Sequence, residues 1–132
     1  MAATGTIPEA FYAQLDAGLA VPVSSEIRRH GDPTPAVVYE VTRFSPFLDH
    51  SGGYVMSGTL TVRLDCVADA ANVAWTTGLD AVAAIDGLWS RNGWQFQMTS
   101  VEMAQTRAAP DDGQADAERI CVVTAEFQVR EI

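Results

Sequence analysis

The side chains able to carry chemistry are few in this sequence, and they are scattered. Its two histidines, His30 and His50, both fall in or near turn-rich stretches. A histidine-based catalytic site needs a nucleophile or carboxylate partner held by rigid elements, and loop neighbours such as Asp49 and His50 do not make one. Cys66 and Cys121 lie far apart, form no CxxC pair and fall on apolar strand faces. They are expected to be two buried free thiols, made in a reducing compartment. Asp111, Asp112 and Asp116 crowd the segment PDDGQAD but miss the spacing of a calcium loop, so they read as a solvated hairpin tip. Asp65 and Glu102 lie in strands and are candidates to meet across a sheet. Trp75, Trp89 and Trp94 are candidates to line a pocket. Trp75 lies on a helix stripe and Trp94 on a strand's inner face, so core packing is expected, with Trp89 the most exposed of the three. The chain has no GxGxxG, no P-loop and no GxSxG. No catalytic residue, metal ligand or cofactor is expected, and the chain does not read as an enzyme.

Bulk properties narrow the partners. The 132 residues are 48% hydrophobic, enough for one domain spanning 1–132 with a core of its own. The net charge is −9, and all eight basic residues are arginines. That balance argues against binding nucleic acid through its phosphates, which needs clustered cations. The one basic doublet, Arg28-Arg29 beside His30, reads as a solvated edge. The N-terminus lacks a basic region followed by an apolar run, and no stretch approaches the roughly 18 apolar residues of a membrane span.

The elements that must position these residues follow from periodicity. TIPEAFYAQLDAGLA reads as a helix: Thr6 is the N-cap, Pro8 sits in the first turn and Glu9 completes a capping box. Phe11, Leu15 and Leu19 form its apolar stripe, and Gly18 and Pro22 stop it. A short strand is expected near Ser25 to Arg29, then a turn at Gly31-Asp32-Pro33. AVVYEVTRF and TLTVRLDCV alternate as strands, the second with Leu60, Val62, Leu64 and Cys66 inward. Between them, 44–58 reads as a long hairpin loop or arm. A second helix covers DAANVAWTTGLDAVAAIDGLW, with Asp69 as N-cap and Trp75, Leu79, Val82 and Ile85 as its apolar stripe. Asn72, Thr76 and Asp80 mark its wet face, and Gly87 or Asn92-Gly93 ends it. Along WQFQMTSVEMAQTR the apolar phase slips by one, which predicts a β-bulge near Thr99-Ser100. The last strand pairs with this one as a hairpin. The expected fold is α+β: an antiparallel sheet of about four main strands with two helices on one face, in the order α-β-β-α-β-β.

Two regions stand out as surfaces. Phe44, Phe47, Leu48 and Tyr54 lie on the loop at 44–58 beside Gly52-Gly53, where apolar groups are costly unless a partner or the chain's own core buries them. On the closing strand, Ile120 and Val122 fall with Val38 on the face that should meet solvent. These six residues, Phe44, Phe47, Leu48, Tyr54, Ile120 and Val122, are the candidate oligomer or partner interface. The closing strand also predicts an edge that a neighbour, or the short strand near Ser25, has to cover.

In order and texture the chain resembles the tail terminator, or tail-completion, proteins of long-tailed bacteriophages. The likeness runs over roughly residues 8–131. It is carried by the helix FYAQLDAGLA, the proline-preceded strand PTPAVVYEV, the strand GTLTVRLDCVAD leading into the small-residue helix AANVAWTTGLDAVAAI, the strand GWQFQMTSVEMAQTR, an acidic loop and the strand AERICVVTAEFQVRE. The family has no sharp signature and no catalytic residues. The resemblance implies a homohexameric ring at the head-proximal end of the tail tube, assembled in the host cytoplasm and retained in the virion at the neck. Such a ring caps the tube, stops its polymerisation and offers the surface that joins the filled head. Its partners would be its own copies, the tail tube protein and a head-tail connector or head-closure protein. DNA would pass through without specific binding, in keeping with the acidic composition. No cofactor and no membrane are implied. The alternatives are another phage neck or head-closure subunit, or a small cytoplasmic α+β ligand-binding protein or enzyme.

Overall fold

The computed structural model describes residues 5–25, 34–47, 57–107 and 119–132. The elements are α1 (Ile7–Gly18), β1 (Val23–Ser24), β2 (Ala36–Phe47), β3 (Ser57–Ala68), α2 (Ala71–Ile85), β4 (Leu88–Arg91), β5 (Trp94–Arg107) and β6 (Arg119–Glu131). All six strands join one sheet in the order β1-β2-β3-β6-β5-β4. β1 runs parallel to β2, and every other pairing is antiparallel.

This corrects the expected architecture. The protein is mostly sheet: six mixed strands curl into a half-barrel with two helices, where four antiparallel strands in the order α-β-β-α-β-β were expected. β1 and β4 have two and four residues, too few for alternation to register. Asn92-Gly93 does not end the helix. Gly87, at φ +76°, does that just past the C-cap Asp86. Asn92 and Gly93, at φ 51° and 83°, form a two-residue turn between β4 and β5. Positive φ at both positions gives the primed turn whose twist suits a tight hairpin.

The alternation of β3 and β6 builds the core. Leu60, Val62, Leu64 and Cys66 of β3 face the same side as Phe127, Ala125, Val123 and Cys121 of β6, partner by partner, and all eight are buried. α1 and α2 cover this inner face. α1 begins as its sequence requires, with Thr6 Oγ1 accepting from Glu9 N and Glu9 Oε2 accepting from Thr6 N. It drives Phe11 and Leu15 into the core. The Phe11 ring lies 5.7 Å from Phe127, edge-on, and 6.5 Å from Phe96. Burying a side chain of this size contributes about 1.5–3 kcal/mol. α1 also touches β1 and β4, the opposite margins of the sheet, so the sheet curls around it. Bulges bend both flanks: β2 slips register between Val41 and Arg43, and β5 between Met98 and Ser100, at the expected place.

α2 departs from its expected face at Trp75 and Leu79, while Ile85 is buried and Asn72, Thr76 and Asp80 are exposed as expected. Its N-cap is Ala70, with no side-chain cap, in place of Asp69. It buries Ala74, Thr77, Gly78, Ala81 and Ile85. Trp75 and Leu79 stay 40% and 48% exposed. The reason is distance. A Cβ on Gly78 would sit 2.7 Å from Cys121 Sγ and 3.0 Å from Met103 Cε, so the helix lies too near the sheet for large side chains between them.

Candidate functional site

The groups flagged for chemistry do not converge. Cys66 and Cys121 are direct partners across β3 and β6, both free and both buried, with Cys121 lying under Gly78. Burial, then the neighbouring Cys121 and Asp65, push the Cys66 thiol up to about 12, and burial raises Cys121 as well. Thiols held protonated in this way are poor nucleophiles, and Cys121 forms part of the surface on which α2 sits. Asp65 and Glu102 do not meet. β6 lies between them, Asp65 opposite Val122 and Glu102 opposite Thr124, and Asp65 Oδ1 instead takes a 2.9 Å contact from Arg63 Nε. His30, His50, Arg28, Arg29, Asp111, Asp112 and Asp116 lie outside the described residues. Among the described residues no group of His, Cys, Asp and Glu is placed to hold a metal, and no helix is long and apolar enough to cross a membrane.

The tryptophans trade their expected roles. Trp89 is half-buried, stacked on Phe96 at 4.1 Å and 15°, with its Nε1 donating to Ile85 O at 2.8 Å. Trp94 is buried as expected, and its Nε1 donates to Gly5 O. Trp75 is the exposed one. Neither Trp75 nor Trp94 lines the polar depression of about 310 Å³ on the outer face, which Phe47, Ser57, Gln95, Gln97, Gln128 and Arg130 border. There Arg130 Nε donates to Gln95 Oε1 at 2.7 Å.

The expected interface residues divide. Phe44 sits in β2 opposite Leu60 and packs against the core, so the strands extend further into 44–58 than the sequence suggested. Phe47, the last residue of β2, is 56% exposed. Leu48 and Tyr54 lie outside the described residues. Ile120 and Val122 are half-buried on the outer face, in cross-strand rows with Val67 and Ala36, and with Asp65 and Val38. They do not lie at a margin. β6 is the fourth strand of six, paired with β3 on one side and β5 on the other, so the closing strand offers no free edge.

The exposed edges belong to other strands. Among the described residues β1 pairs with Val37 and Val38, and β4 with Trp94 to Gln97, with Met98 N donating to Gly87 O just beyond. Among the described residues no strand pairs with the outer edge of β2 from Tyr39 to Phe47, or of β5 from Thr99 to Arg107. Sequence reasoning missed these edges, because strand order sets them. The one local signal was Asn92-Gly93 between alternating aromatics, the mark of a short hairpin, which identifies β4 as a brief partner for a long β5.

No family model matches this chain, and no curated protein matches it.

Proposed function

We propose that this protein is a ring-forming structural subunit of the tail terminator kind. Copies of it close into a hexamer at the head-proximal end of a phage tail tube, stop the tube's growth and form the surface that receives the head. The observation that carries this reading is the curled sheet in which, among the described residues, no strand pairs with a long stretch of the outer edge of β2 or of β5. Unpaired strand edges of this length are a liability in a solitary protein and an adhesive in an assembly. The resemblance of the sequence segments over residues 8–131 to the tail terminators suggests the biological setting of the assembly. DNA passes through the ring without specific contacts, consistent with a chain of net charge −9.

The test is direct. Native mass spectrometry and negative-stain images of the purified protein at micromolar concentration should show a six-membered ring, and adding it to growing tail tubes should end their elongation. Monomer alone, both in solution and on tubes, sinks the reading.

A further inference from the structure

The two edges left unpaired among the described residues, on β2 and β5, match one another in direction. Three antiparallel steps, β2 to β3, β3 to β6 and β6 to β5, leave β2 and β5 antiparallel at opposite margins of one sheet. They overlap in level over part of their length: Tyr39, Leu64, Val123 and Met103 form one cross-strand row, and Arg43, Thr61, Glu126 and Ser100 another.

Exposed apolar surface borders each edge on the helix side. Beside β5, Val101 is 39% exposed. Gln105 Nε2 donates to Ala71 O at 2.8 Å, and Gly78 faces Met103, so that flank of α2 is fixed over β5. Trp75 lies between Ala71 and Gly78 along the helix, with Leu79 one turn further on, and both are exposed. Beside β2, Tyr12 is 38% exposed and its ring lies 5.8 Å from that of Tyr39, while Val41 is half-buried.

We propose that the occupant of each edge is a second copy of this chain. Thr99–Arg107 of β5 in one copy adds antiparallel to Tyr39–Phe47 of β2 in the next. Trp75 and Leu79 then close over Tyr12 and Tyr39 of that neighbour, and the sheet continues from subunit to subunit. Addition of this kind satisfies backbone groups through main-chain hydrogen bonds, while flanking side chains set the specificity. A twofold contact between like edges covers one margin and leaves the other bare, whereas a head-to-tail contact covers both. Charge selects the register. Glu40 and Glu102 share a row, through Arg63 and Thr124, so an unstaggered contact opposes two carboxylates. A stagger of three residues along β2, past the bulged Thr42, sets Glu102 opposite Arg43 instead, and stagger is what tilted strands in a closed sheet require.

This inference rests on the ring reading and names its contact. The experiment measures the mass of wild type, Trp75→Glu and Tyr12→Glu in solution at micromolar concentration, with circular dichroism as the check on folding. Wild type assembles. Each variant alone loses the assembly with an unchanged spectrum. Mixed, the two variants form a heterodimer, because Tyr12 of the Trp75→Glu chain and Trp75 of the Tyr12→Glu chain restore one intact contact. If Trp75→Glu unfolds, Trp75→Ser takes its place in the mixture. A wild type that assembles while both variants assemble equally well overturns the contact and leaves the ring reading standing. Variants that dissociate but fail to pair when mixed overturn the head-to-tail arrangement. A wild type that stays monomeric overturns both.

Discussion

α1 and α2 cover the same face of one sheet by opposite means. α1 projects a large ring, Phe11, into a cluster of aromatics from β2, β4, β5 and β6. α2 presents Ala74, Gly78 and Ala81 and lies almost directly on the sheet, with the Cys121 thiol beneath it. The first mode holds the margins of the half-barrel around a plug. The second turns Trp75 and Leu79 outward, onto the flank that borders the bare edge of β5. Close approach in the core is thus the cause of the apolar patch on the surface.

The contrast can be broken at three points. Phe11→Ala removes the plug and leaves a cavity among aromatics, and should cost about 3–5 kcal/mol in chemical denaturation. A loss under about 1 kcal/mol would mean that α1 is not the anchor. Gly78→Leu overfills the seat of α2. It should destabilise by about 1–3 kcal/mol even though leucine is the better helix former, and a stabilised variant would show that the helix has room to rise. The smallest effect concerns the caps. α1 has a complete capping box, whereas Ala70 leaves the start of α2 without a side-chain cap. Ala70→Ser should therefore raise the thermal midpoint through a gain of about 0.5–1 kcal/mol, and no shift would mean that the orphan amides of α2 are already satisfied.

Much of the fold was legible in local pattern. The capping box at Thr6 and Glu9, the inward set of β3, the bulge near Thr99 and the β5–β6 hairpin all follow from neighbours a few residues apart. The candidate surface was only partly legible. Phe47 is exposed as expected, but Phe44 packs on the core, and the closing strand that seemed to need a neighbour lies inside the sheet. Alternation shows that a strand has two faces. It says nothing about which strands stand on either side.

By itself the sequence determined where α1 and β5 begin, which side of β3 and β6 turns inward, and that the net charge of −9 disfavours phosphate binding, because each is a matter of local spacing or composition. Tertiary structure alone decided the rest. It placed β6 between β3 and β5, so that the edges left unpaired among the described residues fall on β2 and β5. It also set α2 so close to Cys121 that the small side chains went in and the large ones came out. Both outcomes depend on contacts between segments far apart in the chain. A helix stripe with large residues on one side and small ones on the other does not reveal which side a sheet will accept until the distance to that sheet is fixed.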